Sequence, residues 1–114
     1  MKFSVNQQDL QKSLNYCQGV IEKRSTLEIL SNILLDVQNS KLIIIATDLD
    51  LIFTHQLNNI EVLEEGKTTT SSSIMYDIIR KFSSGKKINL TLTEVSKLHL
   101  ESEKSIFNLN CISA

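Results

Sequence analysis

Residues 2–5 alternate polar and apolar side chains and are short enough for one strand. Asn6 then offers a side-chain oxygen to cap a helix, and Asp9 sits three residues on, where the helix dipole favours a carboxylate. Leu10, Leu14, Cys17 and Ile21 recur at three- and four-residue steps, which predicts an amphipathic helix with one apolar stripe. Gln8, Gln11, Lys12, Asn15 and Gln18 cover its other side, and Gly19 is the expected stop. Residues 20–28 read as a charged loop holding Glu22, Lys23, Arg24 and Glu28. Ile33, Leu35 and Val37 alternate into Asn39-Ser40, a turn signal. Residues 42–46 are continuously apolar, which suits a central strand covered on both faces. Residues 49–57 alternate again, with Leu49, Leu51, Phe53 and Leu57 on one side.

The second half repeats this order. Residues 67–70 are extended, Ser71, Ser72 and Ser73 supply a helix cap, and Met75, Ile78, Ile79 and Phe82 form a second apolar stripe. Ser83-Ser84-Gly85 closes that helix. Three alternating strands follow, carried by Ile88-Leu90-Leu92, Leu98-Leu100 and Phe107-Leu109-Cys111, with breaks at residues 94–96 and 102–103 short enough for hairpins. The expected class is α+β: two pseudo-repeated β-α-β-β-β halves in a single domain spanning residues 1–114. Two helices do not cover both faces of eight strands. The economical arrangement is two antiparallel four-stranded sheets packed on their apolar faces, with both helices on one side. The last strand, with Phe107 and Leu109 and no Pro, then presents an edge that invites pairing.

Composition sharpens this picture only in places. Apolar residues make up 41% of the chain and charged residues 22%, a globular balance. With 12 basic and 13 acidic residues the formal charge is −1, which excludes a uniformly basic surface but not a local basic stripe. No apolar run approaches the roughly 18 residues of a membrane span, and the start lacks a signal-peptide stretch, so a cytoplasmic location is expected. Cys17 and Cys111 have no metal-ligand spacing and read as small buried hydrophobes.

Candidate chemistry is sparse. Asp48 and Asp50 share a strand face, but alternation puts His55 on the opposite face with Leu51, Phe53 and Leu57. His99 falls between Leu98 and Leu100 on the expected solvent face. With three glycines there is no phosphate-cradling loop, and no nucleophile-elbow or zinc spacing occurs. No catalytic residue, metal or cofactor is expected. Lys12, Lys23, Arg24, Arg80 and Lys81 remain: parallel helices displaying them to one side would track a phosphate backbone without reading bases.

The residues that complete the reading are Met1-Lys2-Phe3, Arg24-Ser25-Thr26-Leu27-Glu28-Ile29-Leu30, Ala46-Thr47-Asp48-Leu49-Asp50 and Tyr76-Asp77-Ile78-Ile79-Arg80. In order and spacing they resemble the first domain of the bacterial sliding clamp family, the beta subunit of DNA polymerase III, over nearly the whole chain. The resemblance implies the DNA-clamp fold, with this chain as the first of three like domains. It also implies a ring-shaped homodimer around double-stranded DNA, bound without sequence preference, and no enzymatic activity. DNA polymerase III and the clamp loader would be met through domains absent here.

By the same resemblance Arg24 matches a DNA-contacting loop arginine and Arg80 a channel-side basic residue, with Lys12 facing inward. Phe107 and Leu109 match apolar residues of the intersubunit seam, Lys104 occupies an often basic position there, and Ile106 stands where a charged residue is common. Ser25 and Glu28 replace frequent prolines, and Ser73 and Ile74 replace basic residues at the start of the second helix. A different class of reading is a non-enzymatic, self-associating α+β module that uses its C-terminal edge strand for β-augmentation.

Overall fold

The computed structural model describes residues 1–22, 32–47, 52–94 and 97–112. Its elements run β1 (Lys2–Asn6), α1 (Gln7–Glu22), β2 (Asn32–Gln38), β3 (Lys41–Thr47), β4 (Ile52–Leu57), β5 (Ile60–Glu64), β6 (Gly66–Ser71), α2 (Ser72–Ile79), β7 (Lys87–Glu94), β8 (Lys97–Ser102) and β9 (Ser105–Ile112). Every strand pair is antiparallel. The strand order is β4-β3-β2-β6-β9-β8-β7-β1-β5.

One join in this order is short: among the described residues β6 and β9 pair at Thr69↔Ile112 and Thr70↔Cys111. Elsewhere the registers are long, as in β2–β3, where Ile33↔Ala46 through Gln38↔Lys41 are in step. Asn39 (φ 52°) and Ser40 (φ 62°) link those strands by a two-residue turn. Two consecutive positive φ values give the turn the twist that antiparallel partners require, so the turn read from Asn39-Ser40 is present.

Alternation decides the core. Phe3, Val5, Ile33, Leu35, Val37, Leu42, Ile44, Ala46, Ile88, Leu90, Leu98 and Leu100 come from one face of their strands and are buried. They form one cluster with Leu10, Leu14 and Cys17 of α1 and Met75 and Ile79 of α2. β5 adds Ile60 and Val62 to its margin. Gly66 sits where Met1 crosses: a Cβ there would lie 2.9 Å from the Met1 Cβ, so a residue without a side chain is needed.

Several expectations are corrected. The described residues hold nine strands rather than eight, because Ile60–Glu64 pairs with β1. Ile60, Glu61 and Val62 alternate, but the exposed Leu63 breaks the pattern after three residues, and an edge strand needs apolar residues on one face only. α1 continues through Gly19 to Glu22, so residues 20–22, expected as loop, are helical; the rest of the expected loop lies outside the described residues. A lone glycine costs a helix about 1 kcal/mol, which packing of Leu10, Leu14 and Cys17 outweighs. α2 ends at Ile79, before the Ser83-Ser84-Gly85 signal. Residues 42–46 are buried only on alternate positions, since Ile43 and Ile45 are half-exposed.

Candidate nucleic-acid interface and open strand margin

The two helices pack on each other and are tied by polar groups. The Gln7 Nε2 donates to the Ile79 carbonyl at 2.9 Å, the Tyr76 hydroxyl to Asn15 Oδ1 at 3.2 Å, and the Ser72 hydroxyl to Gln18 Oε1 at 3.0 Å. Rising numbers on α1 meet falling numbers on α2, so the helices run antiparallel, not parallel as expected. Gln7 and Gln18 are buried by this contact. The assignment of Gln18 to the wet face is therefore corrected: its amide serves the helix–helix seam. α1 is capped by Asn6, whose Oδ1 accepts from the Gln8 N–H at 2.9 Å. Ser71 caps α2 by accepting from the Ile74 N–H at 3.3 Å.

On the outer side of this seam lies a groove of about 390 Å³ lined by Gln8, Gln11, Lys12, Asn15, Tyr76 and Ser84. Lys12 is exposed on one bank. Arg80 lies at the end of α2 with its guanidinium 5.3 Å from the Tyr76 ring centre and 3.9 Å from the Asp77 carboxylate. Lys81 follows it and is exposed, sharing a second depression with Asp77 and Arg80. The fold thus brings Lys12 and Arg80 to one surface through Tyr76 and leaves Lys81 beside them. Lys23 and Arg24 lie outside the described residues, as do Asp48 and Asp50. Sequence reasoning followed charge and passed over the amides. The signal was present: Gln7, Gln11 and Asn15 recur every fourth residue, one row along a helix.

Beneath α1, Ser13 Oγ and His55 Nδ1 are 2.7 Å apart. The imidazole stacks on Phe53 (6.2 Å between centroids) and meets the edge of Tyr16 at 5.6 Å. His55 therefore sits on the helix-facing side of β4, as alternation predicts. Ser13 Oγ also donates to the Asp9 carbonyl at 3.1 Å and is fully buried, so this pair fastens α1 to the sheet. Burial pushes the Cys17 thiol up to about 11, and it raises that of Cys111 as well, so both stay protonated. Among the described residues no group of three or more His, Cys, Asp or Glu side chains is placed to hold a metal. Among them, too, no helix is long and apolar enough to cross a membrane.

The second feature is the margin of β9. β9 lies between β6 and β8 in the strand order rather than at the sheet edge expected of it; its residues 105–110 pair with β8, while among the described residues Cys111 and Ile112 pair with β6 and the Asn110 carbonyl accepts from the Thr70 hydroxyl at 3.1 Å. Phe107 is half-buried and packs edge to face on Phe82, 5.4 Å between centroids. Ile106 is 56% exposed and Ile112 63%. Lys104 lies in the exposed β8–β9 turn, where Glu103 has φ 52°. Leu109 is only 5% exposed and belongs to the chain's own core; it lies beside the half-buried Phe107 on the core-facing side of β9, opposite Ile106.

A mostly antiparallel sheet carrying two helices is the arrangement this chain shares with solved DNA sliding clamps. The beta subunit structure from Caulobacter crescentus superposes with a TM-score of 0.89 at 32% identity, covering 100% of this chain and 30% of that one. The DNA polymerase III subunit beta from Pseudomonas aeruginosa gives 0.90 at 28%, with the same coverage of each. A family model described as DNA polymerase III beta subunit, N-terminal domain, matches residues 1–114. The chain belongs to that family. The beta sliding clamp of Caulobacter vibrioides is 34% identical over 116 residues, and that of Escherichia coli K12 32% over 114. In both cases the match takes in 100% of this chain but 31% of the relative, so the chain spans about a third of their length.

Proposed function

We propose that this chain acts as the first of three domains of a sliding clamp, a non-catalytic processivity factor that tethers a replicative polymerase to duplex DNA. The family assignment, with its match over the whole chain, carries the reading. The helix layer faces the duplex, and its contacts are to phosphates, where Lys12, Arg80 and Lys81 supply charge without base readout. Lys23 and Arg24 join them by resemblance. A ring needs no tight grip, and an Arg80 already shared with Asp77 and Tyr76 suits weak, exchanging contacts.

The finer architecture is a pair of sheets creased at the short β6–β9 join. Support comes from the approach of β5 to β2 and β3 across the core. β1-α1-β2-β3-β4 and β6-α2-β7-β8-β9 are then like halves that exchange their leading strands, β1 pairing with β7 and β6 with β2. The β9 margin, through Phe107, Ile106 and Lys104 with Leu109 beside Phe107 on the core-facing side, meets another domain of the ring. Polymerase and loader contacts belong to the domains that follow.

The test is a chimera in which this chain replaces the corresponding third of the Caulobacter vibrioides clamp. A closed ring stays on nicked circular DNA and slides off once the circle is linearised. A chimera that leaves circle and linear DNA equally fast refutes the reading.

A further inference from the structure

The Gln7 and Gln11 amides between α1 and α2 are not free to turn either way. The Ile79 carbonyl accepts hydrogen bonds and donates none, so the Gln7 atom 2.9 Å from it is the Nε2. That same nitrogen donates to Gln11 Oε1 at 2.8 Å. The Gln11 oxygen is thereby occupied by the seam, and the end of its amide left over is the N–H₂ group. On Asn15 the Tyr76 hydroxyl donates to Oδ1 at 3.2 Å, an arrangement that leaves the Asn15 N–H₂ group unused by this contact. Gln11 and Asn15 both line the groove, with the Lys12 ammonium between them in sequence. Two amides and one ammonium therefore offer N–H groups, and the acceptors that would repel an anion are used inside the seam.

We propose that this groove is a seat for one backbone phosphodiester of duplex DNA, with Gln11 and Asn15 as donor-only hydrogen-bonding residues and Lys12 as the charge. The proposal rests on the reading that the helix layer faces a duplex, and it adds the residues that position it there. Neutral amides hold a phosphate oxygen in place with little Coulombic pull at a distance, so the seat adds contact geometry without slowing release.

The experiment follows the side-chain amide resonances of Gln11 and Asn15 by NMR while a 12-base-pair duplex is added to the chain at low salt. Both pairs shift and saturate with the duplex, and Asn15→Asp, which replaces a donor by a charged acceptor on an exposed residue, weakens binding about tenfold. Gln11→Glu does the same where its backbone spectrum stays native, and Asn15→Asp alone decides where it does not. Backbone shifts along α1 and α2 with unmoved Gln11 and Asn15 amides overturn the seat while leaving the helix layer as the DNA face. No shift on either helix overturns the helix-layer reading itself. Inorganic phosphate forms the remaining arm. Saturation by millimolar phosphate alone, as strong as by duplex, makes the groove a general anion site and overturns the phosphodiester assignment.

Discussion

The helix layer meets solvent through amides and a few charges held by hydrogen bonds, with Tyr16 and Ile74 exposed as single apolar side chains, whereas the β9 margin meets it through Phe107, Ile106 and Ile112. On the first surface the groups are already partnered within the chain: Asn15 by Tyr76, Arg80 by Asp77, Gln11 by Gln7. Such a surface loses little when its outer partner leaves. On the second, among the described residues the backbone of residues 105–109 pairs on one flank only, and two isoleucines are more than half exposed. Apolar area and unpaired strand groups gain most from a lasting partner. One chain thus carries a surface suited to brief contact and another suited to permanent contact.

The sharpest way to break this comparison is at Phe107. In the chimeric clamp Phe107→Asp puts a carboxylate at the margin, and self-association should weaken by about a hundredfold or more, since a buried unpaired charge costs several kcal/mol. Sedimentation velocity reads the change. A dimer that survives would mean that the margin is not a seam.

Leu109→Ala separates the seam from the core behind it. Leu109 is 5% exposed, so truncation should cost the chain itself about 2–4 kcal/mol in urea unfolding. A cost below about 1 kcal/mol would put Leu109 on the surface instead and enlarge the margin. The helix layer should answer to salt rather than to stability. Arg80→Ala removes one cation already shared with Asp77, so duplex affinity should fall only a few-fold, and the slope of log affinity against log salt should drop by about 1. A loss as large as that at Phe107 would make the two surfaces alike.

Legibility in the sequence follows the same division. Positions governed by periodicity were readable: the β2–β3 hairpin with its Asn39-Ser40 turn, the apolar stripe of α1, the Ser71 cap and the inward side of His55 all follow from spacing. Positions governed by partners distant in sequence were not. β5 owes its place to β1, nearly sixty residues away in register, as Phe3↔Val62 shows. Gln18 read as a surface residue because nothing local says that Ser72 will meet it, and nothing local marked Gln7 as the partner of Ile79. The antiparallel run of the helices is a tertiary fact of the same kind. The charged candidates were legible as residues, while the donor polarity of their neighbours required the hydrogen-bond pattern.

The smallest effect lies on the β8–β9 face, next to the margin but built like the helix layer. His99 Nδ1 is 2.9 Å from Asn108 Oδ1, and Nε2 is 3.4 Å from Glu101 Oε1. The bond to Asn108, then that to Glu101, favours the protonated ring and holds its pKa above the ordinary 6.5. A pKa higher in the folded than in the unfolded chain means that the folded state binds the proton more tightly. This pairing therefore stabilises fully below about pH 6.5, and its contribution is lost as pH rises through the folded value. Asn108→Ala should lower the His99 midpoint, read by NMR of the ring protons, and shrink the acid-side stabilisation by a few tenths of a kcal/mol, because the site is partly open to solvent. An unchanged midpoint would leave Glu101 as the sole cause. The polar face beside the margin would then depend on charge, where the helix layer depends on its amides.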